Sequence, residues 1–113
     1  MNPRIKQLWI NALRSGSYQQ GRGRLRGEDG FCCLGVLCDL HPGSGLEWKQ
    51  RDGNWSYLGD HVHYPPRKIW EWAGALDCEG MPTRGPVDEV ELAKMNDRGA
   101  SFNDIADFVE QRF

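Results

Sequence analysis

The stretch GFCCLGVLCDL, residues 30–40, limits what this chain can fold into more than any other segment. It is the most apolar run of the sequence, and it carries Cys32, Cys33 and Cys38. If the run is helical, Phe31, Cys33, Leu34, Val36, Leu37, Cys38 and Leu40 cover nearly every face of it. A helix that is apolar all round must be enclosed by other elements. A central β-strand satisfies the same run, because a short apolar segment has no period that separates the two. In either form the segment belongs at the centre of the molecule. Asp29 is placed to cap a helix over residues 31–40, and Gly35 favours close packing of a second element.

The flanking segments supply the wrapping. In NPRIKQLWINALRSG, Asn2 is an N-cap and Pro3 a first helical residue. Ile5, Leu8, Trp9, Ala12 and Leu13 recur at helical spacing, and Gly16 ends the helix. LEWKQRDGNWSYL alternates about Asp52-Gly53 as a hairpin does, with Leu46, Trp48 and Gln50 on one face. YPPRKIWEWAG reads as a short helix that puts Ile69, Trp70 and Ala73 inward, turns Trp72 outward and stops at Gly74. CEGMPTRGP is turn-rich. VDEVELAKMNDRG forms a helix ended by Gly99, and Ser101 then caps FNDIADFVEQRF with Asp104 three residues on. With 113 residues, the chain has the length of one domain. The expected fold is therefore α+β: a single compact domain over residues 1–113, with an N-terminal helix, a buried Cys-rich helix, a small antiparallel sheet and a C-terminal helix pair.

Charge and hydropathy remove several classes of partner. A formal net charge of −2 predicts no bulk attraction to nucleic acid or to an anionic membrane. No apolar run approaches the roughly 20 residues that span a bilayer. MNPRIKQLW has neither an apolar signal core nor a cleavage site, which points to the cytosol, where thiols stay reduced. Arg4, Lys6, Arg14, Arg22, Arg24 and Arg26 make the front of the chain basic, while the tail beyond residue 86 is acidic. The two ends are set to attract one another.

Four groups of residues carry possible chemistry. Zinc sites pair ligands two to four residues apart, whereas Cys32 and Cys33 are adjacent and Cys78 is remote, so no metal is expected. Cys32 or Cys33 at a helix start, with His61 or His63 as base, has the outline of a nucleophile. Glu28 and Asp29 oppose a thiolate there, and free cysteine usually packs as a small hydrophobe, so a core role is favoured. In YQQGRGRLR, Gly21 and Gly23 allow close approach of a ligand. Arg22, Arg24 and Arg26 add forks suited to phosphate, all on one face if the segment is extended, beside the amides of Gln19 and Gln20 and the ring of Tyr18. The same stretch also suits a charge-protected sheet edge. Finally, Asn96, Asp97 and Arg98 form a polar knot at a helix end, either as a helix stop or as ligand contacts.

The segments ALRSGSYQQGRGRLR (residues 12–26), FCCLGVLCDL (31–40) and MNDRGASFNDIADFVEQ (95–111), in that order, resemble a family of small phage and prophage proteins. That family carries no assigned enzymatic activity, so the resemblance supplies context more than chemistry, and no cofactor is expected. The resemblance implies life in the cytosol of a bacterial host, where small phage proteins often antagonise host defence, some by sequestering a signal molecule without turning it over. The functional expectation is such a sponge for a phosphorylated nucleotide-like molecule. Its contacts would be Tyr18, Gln20, Gly21, Arg22, Gly23 and Arg24, with Asn96, Asp97 and Arg98 beside them. A protein-binding inhibitor of a host defence protein is the alternative, and a cysteine hydrolase is the third. Whether the basic stretch lines a pocket or a subunit interface of a homo-oligomer is left open by the residues alone.

Overall fold

A computed structural model describes residues 1–52, 54–59, 61–75 and 88–113. Helix α1 (Pro3–Arg14) begins as its sequence dictates: Asn2 Oδ1 accepts from the amides of Arg4 at 2.9 Å and Ile5 at 3.2 Å. After it, the chain crosses a bridge from Gln20 to Phe31 and forms the small antiparallel pair β1 (Arg26–Gly27) and β2 (Gly30–Phe31). Helix α2 (Cys33–Leu40) follows directly, then the helical turn α3 (Ser44–Glu47). The hairpin β3 (Trp48–Arg51) and β4 (Asn54–Tyr57) pairs antiparallel, with Trp48 opposite Tyr57. Helices α4 (Arg67–Ala73), α5 (Asp88–Asp97) and α6 (Phe102–Arg112) complete the described chain. The α+β class holds, and the strands among the described residues form two separate two-stranded sheets.

The apolar run is a helix, and it is the centre. Residues Cys33 to Cys38 are all buried, enclosed by α1, α5 and the β1–β2 segment. Trp9 of α1 donates its indole N–H to the carbonyl of Cys33 at 3.0 Å, which fastens the first helix to the central one. Trp9 also meets Trp70 edge-on at 6.1 Å, and Phe113 stacks on Trp70 at 6.2 Å. These rings have geometries favoured by their quadrupoles and bury large areas for few residues. The outer surface of α1 pairs with α6: Arg14 reaches Asp107 at 2.6 Å and Glu110 at 3.1 Å. The basic front and acidic tail therefore do meet.

Gly35 is required by packing. A Cβ there would lie 1.8 Å from the carbonyl oxygen of Leu25, so only a hydrogen allows the chain to pass this close to α2. Leu25 is itself fully buried. The central helix and the basic stretch are thus held in direct backbone contact.

Three local expectations are corrected. The cap of α2 is Cys32, whose Sγ accepts from the amide of Gly35 at 3.4 Å. Asp29 instead turns back to the amide of Arg22 at 3.2 Å, because residues 30–31 are taken up by strand pairing. Leu46 belongs to α3 rather than to the hairpin and is 86% exposed. The basic stretch is not extended across Arg22–Arg24: Gly23 has φ +84°, a left-handed turn that breaks the two-residue alternation. Trp72, by contrast, is the partly exposed indole of α4 as expected, with its ring edge-on to His41 at 5.0 Å. Cys78, the CEGMPTRGP segment and Gly53 of the hairpin turn lie outside the described residues.

Candidate functional site

The two polar segments singled out in the sequence come together in space. Asn96, on the last turn of α5, is completely buried. Its Oδ1 accepts from Gln20 Nε2 at 2.9 Å and from the amide of Cys33 at 3.2 Å, and its Nδ2 donates to the carbonyl of Gly21 at 2.7 Å. Gln20 Nε2 also donates to the carbonyl of Ala100 at 2.8 Å. One side chain therefore clasps the basic stretch, the start of α2 and the end of α5. The polar atoms of Gln20 and Asn96 used in this clasp face the protein interior. Tyr18 is also engaged inward, donating its hydroxyl to Asp39 at 2.6 Å and meeting Phe31 edge-on at 5.1 Å. Burial raises the Tyr18 pKa, and the bond to the Asp39 carboxylate raises it further.

The three arginines separate because of the turn at Gly23. Arg26 lies over the ring of Trp55 at 3.6 Å, with Phe31 at 4.8 Å and Trp48 at 5.5 Å, so its charge is absorbed by an aromatic cluster. Arg24 donates to Asn54 Oδ1 at 2.7 Å. Arg22 is exposed and runs toward Gly99, and Arg98 is exposed just beyond α5. No shared phosphate-facing row exists.

Beside the clasp lies a pocket of about 200 Å³. It is lined by Gly23 and Arg24 of the basic stretch, by Ala93 and Asp97 of α5, and by Cys32, His63 and Tyr64. Gly23 organises the rim. Its amide donates to Asp97 Oδ1 at 2.9 Å, and its carbonyl is 2.8 Å from His63 Nδ1. A carbonyl only accepts, so Nδ1 carries the proton and Nε2 keeps its lone pair in the neutral ring. The amide of Leu25 donates to the carbonyl of Val62 at 2.7 Å, which ties the histidine segment to the basic stretch. Tyr64 is 40% exposed, leaving ring surface open to a ligand. Of the residues lining this pocket, the sequence singles out Gly23, Arg24 and Asp97 as ligand contacts and Cys32 and His63 as a nucleophile and base, and it does not single out Tyr64 or Ala93. Neither of the missed residues carries a local signal, because contacts from distant segments bring them to the pocket.

The three described thiols are poor nucleophiles. Burial raises the Cys32 pKa to about 11, against hydrogen bonds from the amides of Gly35 and Leu34 and with help from Asp97. Burial holds Cys33 and Cys38 well above the ordinary range as well. Such groups are protonated at neutral pH and pack as hydrophobes. Among the described residues, no cluster of three or more His, Cys, Asp or Glu side chains has the arrangement to hold a metal ion. No helix among them is long and apolar enough to cross a membrane.

Fold and site together describe a small α+β domain with a cation- and aromatic-rimmed pocket clasped between its basic stretch and its fifth helix. The chain belongs to the family described as a domain of unknown function, DUF8296, whose model matches residues 1–113. The chain matches no curated protein and no solved structure.

Proposed function

We propose that this protein binds a phosphorylated nucleotide-like molecule without turning it over, in the manner of a phage counter-defence sponge acting in the cytosol of a bacterial host. The observation that carries the reading is the grouping of Arg24, His63 and the open ring of Tyr64 around one pocket. Arginine suits a phosphate through its planar fork, and an exposed tyrosine suits a heteroaromatic face. The volume, about 200 Å³, is below the range of roughly 300–1,000 Å³ common for drug-sized ligands. It fits one nucleobase, with the phosphate at the mouth near Arg24. Protonated, buried thiols favour holding the ligand over cleaving it.

The test is differential scanning fluorimetry with a panel of nucleoside monophosphates, followed by mass spectrometry of the ligand released on denaturation. Stabilisation by at least one member, with the ligand recovered intact, is expected. Arg24→Lys keeps the charge but loses the fork, and should weaken binding roughly tenfold to a hundredfold. Altered product, or no stabilisation by any member, overturns the reading. Leu46, at 86% exposure, favours a protein-binding inhibitor as the second reading. In that case, nucleotides have no effect and Leu46→Ser abolishes capture of one specific host defence protein.

A further inference from the structure

The pocket holds one group at odds with a phosphate site. Asp97 is an exposed carboxylate on the same helix as Ala93, and an anion there repels an anionic ligand group. Its position is fixed all the same. Asp97 Oδ1 accepts the amide of Gly23 at 2.9 Å, on the residue whose carbonyl holds His63 at 2.8 Å. Asp97 Oδ2 is left to accept from a ligand. An ionised carboxylate is acceptor-only, with room for about four hydrogen bonds over its two oxygens. A fixed, acceptor-only group beside an aromatic face is complementary to two adjacent N–H donors on a planar ring.

We infer that Asp97 determines specificity for a base with adjacent N–H donors, of the guanine type, and this rests on the nucleotide-binding reading above. Guanine presents N1–H and the N2 amino group side by side, so both meet the carboxylate. Hypoxanthine retains only N1–H. Adenine sets the bare N1 lone pair beside its N6 amino group, and that lone pair is repelled by the carboxylate. A polar site that an analogue leaves unpaired discriminates more sharply than an apolar one. The phosphate then points to Arg24 at the mouth of the pocket, away from Asp97.

The experiment is isothermal titration of the full chain with guanosine, inosine and adenosine 5′-monophosphates, repeated on Asp97→Asn. Asparagine keeps an oxygen for the Gly23 amide but replaces the free acceptor with a donor. Losing the negative charge shifts the affinity of all three anions together, so the ratio between bases is what is read. The wild type should bind the guanosine nucleotide at least tenfold tighter than the adenosine one, with inosine between, and Asp97→Asn should erase that ratio. Equal affinities in the wild type, or a ratio that survives in Asp97→Asn, overturn the assignment of Asp97 and leave the nucleotide reading standing. Binding of none of the three by the wild type overturns the assignment, and the nucleotide reading falls too if no other member of the nucleoside monophosphate panel stabilises the protein.

Discussion

Three hydrogen bonds meet on the buried side chain of Asn96, and two of them pair backbone groups, the Gly21 carbonyl and the Cys33 amide. Asn96→Ala would leave the carbonyl of Gly21 and the amide of Cys33 unpaired in the interior, each at about 1–3 kcal/mol. Urea denaturation should show a loss of roughly 3 kcal/mol, and a loss under about 1 kcal/mol would mean the clasp is dispensable. Gly35 sets two effects against each other. Alanine is the better helix former by about 1 kcal/mol, yet its Cβ would meet the Leu25 carbonyl at 1.8 Å. A backbone oxygen cannot swing aside, so Gly35→Ala should destabilise by about 2 kcal/mol or more. The cysteines give a kinetic measurement. With the Cys32 pKa at about 11 and all three described thiols buried, iodoacetamide should label native protein slowly at neutral pH and unfolded protein quickly. Rapid native labelling of Cys32 would restore the nucleophile reading.

Among the elements, helix ends are the parts most directly written in sequence. Ser101 accepts the Asp104 amide at 3.1 Å while Asp104 accepts the Ser101 amide at 3.4 Å, a reciprocal box at the start of α6. Ser101→Ala should lower stability by about 1 kcal/mol in thermal melts, with the pocket's ligand response intact. The α1–α6 ion pairs belong to a weaker class. Arg14 is exposed beside Asp107 and Glu110, so Arg14→Met should lower the melting temperature slightly at low salt and not at high salt. A tighter junction forms at Glu47 of α3, which accepts from the Tyr57 hydroxyl of β4 and from Lys68 of α4 at 2.6 Å, with His41 Nδ1 at 3.3 Å. Burial works against the Glu47 charge, but the bonds from Lys68 and Tyr57 outweigh it and hold the carboxyl below its ordinary pKa.

For the whole molecule these pairings become a pH dependence with two edges. Tyr18 and Tyr57 have pKa values raised, by burial first and then by the carboxylates of Asp39 and Glu47. A folded-state pKa above the unfolded value near 10 means a stabilisation that is complete below pH 10 and lost as pH rises above it. Glu47 has the opposite sign: its contribution is present above the unfolded pKa of a glutamate and lost as pH falls through the lower folded value. Stability measured by urea midpoint should therefore be flat near neutrality and fall at both ends. In an ultraviolet titration, Tyr18 and Tyr57 should ionise only together with unfolding. Tyr57→Phe should remove a large part of the alkaline loss, and an unchanged profile would refute the assignment.

Helix α1, the all-apolar centre, the start of α4 at its prolines and the Ser101 box were legible in the sequence, because each depends on residues within a turn or two of one another. Caps, periodicity and a left-handed glycine act locally, so they are legible wherever no strand pairing competes for the same residues. Cys32 rather than Asp29 as the α2 cap, and the scattering of Arg22, Arg24 and Arg26, were decided by strand pairing and by one left-handed turn at Gly23. The pocket is a further step removed. It joins residues 23–24, 32, 63–64, 93 and 97, and no spacing along the chain encodes that meeting. The sequence determined that residues 31–40 must be buried and which local elements would cover them. Only the tertiary structure decided that the covering elements leave a pocket beside Asn96, because that depends on how closely backbones pass at Gly35 and on which polar groups the interior uses first.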